Sequence, residues 1–134
     1  MITRRLRELD LRLGALDTLR RETTEGRYRS DLAVRAQIER HLQLAVQAVI
    51  DVAVHIVAED VAGVPEDYGS AFMMLADQGL IDRSLAERLR DAAGLRNVLV
   101  HGYVDVDPGI VWQSLDDLDD LRQFAAFAGR VAEG

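Results

Sequence analysis

The chain contains no cysteine, no lysine and only two prolines in 134 residues. Without cysteine there is no disulfide framework and no thiolate metal site, and a reducing cytoplasm is the expected compartment. With so little proline and no low-complexity run, neither a linker nor an internal repeat interrupts the sequence. No glycine-rich phosphate loop is present, nor a nucleophilic serine patterned with His and Asp. No His/Cys/Asp cluster has the spacing of a metal site. No apolar stretch follows the basic residues of Met1-Ile2-Thr3-Arg4-Arg5-Leu6-Arg7-Glu8, so this segment is not expected to be a signal peptide. The most apolar stretch, Leu44 to Ala58, is too short and too interrupted to span a bilayer.

What remains is one domain, residues 1–134, large enough for a real core. Its net charge of −7 argues against general affinity for nucleic acid. The charge is uneven. Residues 1–41 hold ten Arg against seven acids, a balance of +3, whereas residues 42–134 hold six Arg against sixteen acids, a balance of −10. The basic half suits RNA or an acidic partner.

The apolar periodicity is helical almost throughout and predicts an all-α bundle of about five helices. A first helix runs from Thr3 to Thr23 on the stripe Leu6, Leu9, Leu13, Leu16 and Leu19 or Arg20. Glu22 to Arg29, with Gly26, reads as a loop. A second helix starts at a Ser30 or Asp31 cap and ends between Glu59 and Gly63; it is apolar nearly all round, as a central helix should be. Gln43, Gln47, Asp51, His55 and Glu59 recur along it every fourth residue, either as a solvated face or as a seam toward a cleft or a second subunit. A short third helix covers Asp67 to Gln78, with Phe72 and Leu75 inward, Met73 and Met74 as core filler, and Gly79 as its stop. The fourth starts at an Asp82 cap and carries Leu85, Leu89, Ala92, Leu95 or Arg96, and Leu99 to a stop at Gly102. Asp107-Pro108 opens a fifth, which reaches Ala132 with Trp112 or Val111, Leu115, Leu118, Leu121, Phe124, Phe127 and Val131 inward. Asp116, Asp117, Asp119 and Asp120 lie between these apolar residues and read as a solvated face rather than an ion site.

The chemistry concentrates in Arg96-Asn97-Val98-Leu99-Val100-His101-Gly102-Tyr103. Arginine clamps phosphate with two parallel hydrogen bonds, histidine moves a proton near neutral pH, and tyrosine offers a hydroxyl. The set suits phosphodiester cleavage without a metal ion. An Arg and a His near a helix end also serve to satisfy carbonyls and the helix dipole, so the full spacing matters. Arg96 and His101 are five positions apart, about 140° around an ideal helix, so they do not share a face. An ending at Gly102 would let His101 turn, and a second subunit would help complete the cleft. Asp51, a carboxylate amid Val49, Ile50, Val52 and Ala53, needs a partner, and Arg96 is the expected one. His41 reads as a surface or half-buried residue and His55 as a satisfied interior one.

Arg-x4-His-x-Tyr with Asn after the Arg resembles the signature of HEPN-domain ribonucleases, most closely the HepT-like toxins of bacterial toxin–antitoxin pairs. The likeness extends to Glu39-Arg40-His41-Leu42-Gln43 with Ala48-Val49-Ile50-Asp51-Val52-Ala53, and to Tyr68 through Leu75 with Gly79-Leu80-Ile81, covering about residues 28–127. The resemblance implies a small all-α homodimer with both motifs facing one cleft. It implies a metal-independent endoribonuclease with no cofactor, in which the RNA 2′-hydroxyl attacks the adjacent phosphate. His101 would be general acid or base, Arg96 would stabilise phosphoryl charge, and Asn97 would orient the His or the phosphate. It further implies a cognate minimal nucleotidyltransferase antitoxin that moves AMP from ATP to the motif tyrosine, here Tyr103. A different reading is a non-catalytic helical adaptor that docks a nucleotidyltransferase.

Overall fold

The computed structural model describes residues 1–101 and 106–134, and these form seven α-helices and no strand. They are α1 (Ile2–Glu22), α2 (Glu25–Ser30), α3 (Leu32–Ile56), α4 (Tyr68–Asp77), α5 (Arg83–His101), α6 (Pro108–Ser114) and α7 (Leu118–Glu133). The all-α bundle is the one the periodicity predicts. Two of its divisions differ from the sequence reading.

The first lies at Glu22 to Arg29, where a loop was expected and α2 forms. Thr24 caps it by accepting from the Arg27 N–H at 3.1 Å. Six residues do not hold a helix by themselves. Tyr28 anchors it, fully buried and stacked on Trp112 with ring centroids 5.9 Å apart. The second lies in the last helix, where a 3₁₀ turn at Leu115–Asp117 separates α6 from α7. Its inward face is otherwise as the spacing predicts, with Val111 buried and Trp112 half-buried beside it.

The central helix is α3. It packs along α1 and also touches α2, α4, α5 and α7. Val49, Ile50, Val52, Ala53 and Ile56 are fully enclosed, which explains its apolar girth. Asp31 caps it, accepting from the Ala33 and Val34 N–H groups. The helix ends in a π turn, Val57–Val61, followed by Ala62 at φ 60°. The left-handed residue is thus Ala62, not Gly63. A Cβ at Gly63 would lie 2.8 Å from Met74 Cε, the flexible tip of a side chain that can move aside.

The pair α4 and α5 packs closely on the other side of α3. Phe72 from α4 meets Phe124 of α7 edge-on at 5.6 Å. Gly79, at φ +72°, ends the turn after α4 as the sequence predicts. No helix among the described residues is long and apolar enough to cross a membrane.

Candidate functional site

The site is built on the last turns of α5. Leu85, Leu89, Ala93 and Leu99 bury one side of this helix and fix its rotation. That leaves Arg96 half-buried against α4, and Asn97 and His101 exposed. Arg96 Nη1 donates to Asn97 Oδ1 at 2.9 Å. The guanidinium lies over the Tyr68 ring, 5.5 Å from its centre, a cation–π distance. Its Nε is buried and has no hydrogen-bond partner among the described residues.

Tyr68 opens α4, and its approach to α5 has two local causes. Asp67 caps α4, accepting from the Ser70 N–H and hydroxyl, both at 2.8 Å. These two bonds, the hydroxyl's first, hold the Asp67 carboxyl below its usual range. Gly69 lets α4 approach α5, since a Cβ there would come 2.8 Å from Arg90 Cγ. In the sequence Tyr68 stands out only for its place in the resemblance. Its contact with Arg96 joins helices 28 positions apart, which no local spacing reveals.

The helix continues through His101, so Arg96 and His101 keep the angular offset of a regular helix, about 140°, with about 7.5 Å between them along the axis. At that offset they stand on different faces of one terminal segment. Gly102, the expected stop, and Tyr103, the expected modification site, lie outside the described residues.

Asp51 requires a correction. Its expected partner was Arg96, but Arg5 of α1 takes the carboxylate at 3.5 Å and Gln47 donates to it at 2.7 Å. The physical reason is packing: α3 lies along α1, so a residue on that side meets the α1 arginines first. Asp51 lines a shallow groove with Arg4, Arg5, Arg7 and Gln47. Arg96 finds its support in Asn97 and Tyr68 instead.

Other candidates fall into place. His41 is half-buried, with Arg12 Nη1 3.2 Å from its Nδ1. Burial first, and the Arg12 charge second, lower its pKa against an opposing pull from Glu8. His55 is half-buried rather than interior. The acids of the last helix are largely paired: Asp116 with Arg20, Asp119 with Arg122, Asp120 with Arg88. Among the described residues, no three His, Asp or Glu side chains are grouped so as to hold a metal ion. A groove of about 260 Å³ between α3, α5 and the α6–α7 segment is lined by Leu42, Arg88, Leu95, Ile110 and Leu121, but not by Arg96 or His101. Arg96 and His101 thus lie outside that groove.

Comparison with known proteins agrees with the resemblance. Over 100 residues the chain is 31% identical to an mRNA nuclease HepT from Shewanella oneidensis, covering 74% of this chain and 75% of that protein. It is 35% identical over 104 residues to a tRNA nuclease HepT from Aphanizomenon flos-aquae, covering 78% and 69%. The fold superposes with a TM-score of 0.88 on a tri-AMPylated Shewanella oneidensis HEPN toxin solved in complex with MNT antitoxin, at 25% identity and 96% coverage of both chains. The ribonuclease HepT-like family model matches residues 9–128, further toward the N-terminus than the quoted motifs reach. The chain belongs to the HepT-like ribonuclease family.

Proposed function

We propose that this chain is the toxin of a toxin–antitoxin pair, a metal-independent endoribonuclease silenced by a cognate nucleotidyltransferase. The observation that carries the reading is the arrangement on α5: a guanidinium held between Asn97 and Tyr68, with an exposed imidazole five residues further on. Family membership and the solved toxin–antitoxin relative support it.

In the proposed reaction the RNA 2′-hydroxyl attacks the neighbouring phosphorus and the 5′-oxygen of the next nucleotide leaves. His101 moves the proton, as base for the attacking hydroxyl or as acid for the leaving oxygen. Arg96 binds the phosphoryl oxygens and stabilises the charge that grows on them. Asn97 holds the guanidinium. The products are a 2′,3′-cyclic phosphate and a 5′-hydroxyl. DNA lacks the attacking hydroxyl and is not cut.

The active species is a homodimer. Arg96 and His101 occupy different faces of α5, and a second copy placed against this open surface supplies the missing wall and the second proton-transfer group. Tyr103, two residues beyond His101, receives AMP from the antitoxin, which puts a negative phosphate and a nucleoside where substrate must bind.

The test is expression with and without the partner nucleotidyltransferase. Growth arrest with RNA breakdown is expected when the chain is expressed alone, and neither when the partner is present. Arrest with intact RNA, in wild type and in His101→Ala alike, would favour the adaptor reading.

A further inference from the structure

We propose that Tyr68 is a positioning residue for cleavage: its ring is the platform that holds the Arg96 guanidinium in the orientation that receives the phosphate. The proposal rests on the assignment of Arg96 to phosphate binding.

An arginine side chain has several rotatable bonds, and a freely swinging guanidinium loses that freedom each time it grips substrate. Here two contacts from two helices restrain it. Asn97 Oδ1 accepts from Nη1 at 2.9 Å and limits rotation in the guanidinium plane. The Tyr68 ring, 5.5 Å from the guanidinium carbon, limits tilt out of it. With Nη1 engaged and Nε buried, Nη2 is the nitrogen left to lead toward an incoming phosphoryl oxygen.

Tyr68 is not required to fill the core. It is 43% exposed, whereas Phe72, one turn further along α4, is fully buried. The molecule nonetheless holds Tyr68 in place with some care. The Asp67 cap fixes the first turn of α4. The bare α-carbon of Gly69 sets that turn against Arg90, six positions before Arg96 on α5. An exposed aromatic ring held this way against a candidate phosphate ligand has a function in orienting that ligand. The hydroxyl makes no hydrogen bond among the described residues, so the ring face, not the phenol, carries the role.

The experiment compares Tyr68→Phe and Tyr68→Leu in the full chain, by steady-state cleavage of a defined RNA and by the Arg96 side-chain Nε–H resonance. Tyr68→Leu should lower kcat about tenfold, the scale of a partly desolvated cation–π contact, with KM and melting temperature nearly unchanged. Tyr68→Phe should stay within about twofold of wild type, because its ring keeps the π face. The Arg96 resonance should be ring-current shifted in wild type and Tyr68→Phe, and return to an ordinary position in Tyr68→Leu. Unchanged kcat in Tyr68→Leu overturns the proposal. So does a rise in KM alone, which would make the ring a base-stacking surface, or an equal loss in Tyr68→Phe, which would shift the role to the hydroxyl. An unshifted Arg96 resonance in wild type overturns it without reference to activity. If wild type shows the shift but cleaves no RNA, the nuclease assignment fails and takes the proposal with it, although the contact itself stands.

Discussion

Arg5 of α1 holds the Asp51 carboxylate of α3 at 3.5 Å, tying the two longest helices together along their seam. Both side chains are partly open to solvent, and Gln47 keeps one carboxylate oxygen satisfied at 2.7 Å. Losing either partner should therefore cost only about 1 kcal/mol. In urea unfolding, Arg5→Ala with Asp51→Ala should show a coupling of about 0.5 kcal/mol, and Asp51→Ala with Arg96→Ala should be additive. Coupling to Arg96 and not to Arg5 would contradict the pairing.

A second polar contact is far better sealed. The Tyr28 hydroxyl donates to Glu39 Oε2 at 3.0 Å, and Arg35 Nε donates to the same oxygen at 2.7 Å. Glu39 is 5% exposed and Tyr28 not at all. Glu39→Ala strands a buried hydroxyl and half-strands a cation, and should cost about 2–4 kcal/mol, several times the Arg5–Asp51 loss. Chemical denaturation of both variants makes the comparison.

The same contact has an alkaline signature. Burial first, and the Glu39 charge second, push the Tyr28 phenol well above its ordinary value. Folding favours the neutral phenol, so this contribution is complete below the unfolded pKa of about 10 and is lost as pH rises above it. Tyrosinate absorbance should show Tyr28 ionising only on unfolding, and Tyr28→Phe should remove that part of the alkaline loss.

On the acid side, His41 works in the opposite direction. Its lowered pKa means that folding favours the neutral ring. The contribution is present above the unfolded value of about 6.5 and declines as pH falls from there to the lower folded value. Melting temperature measured from about pH 8 to 5 should fall less steeply in His41→Gln than in wild type. Identical slopes would remove His41 from the acid response.

These contacts mark where the sequence could and could not be read. Helix caps such as Asp31 and Asp107-Pro108 were legible, because they act within three residues of themselves. The leucine stripe of α1 was legible because a repeat of three and four repeats its own signal. Short α2 was not, since Tyr28 draws its stability from Glu39 and Trp112, the latter 84 positions away. The partner of Asp51 was not, because a carboxylate set among apolar neighbours in the sequence announces its need for a partner but not which helix will bring one. In the candidate site, the order of Arg96, Asn97 and His101 was visible, while the Tyr68 platform depended on how α4 meets α5.

Tyr103 is the proposed control point. Incubation with ATP and the cognate nucleotidyltransferase should add mass in AMP steps and abolish cleavage, and Tyr103→Phe should escape both. Normal modification and silencing of Tyr103→Phe would place control elsewhere.

The most direct measurement is RNA cleavage by purified protein in excess EDTA, with wild type, Arg96→Ala and His101→Ala compared and the product ends analysed. Wild type should cut fully and leave 2′,3′-cyclic phosphate or 3′-phosphate ends. His101→Ala, an exposed position whose loss leaves the fold intact, should be slower by about a hundredfold or more, and Arg96→Ala at least as slow. Loss of wild-type activity on chelation, or full activity in His101→Ala, would contradict the mechanism.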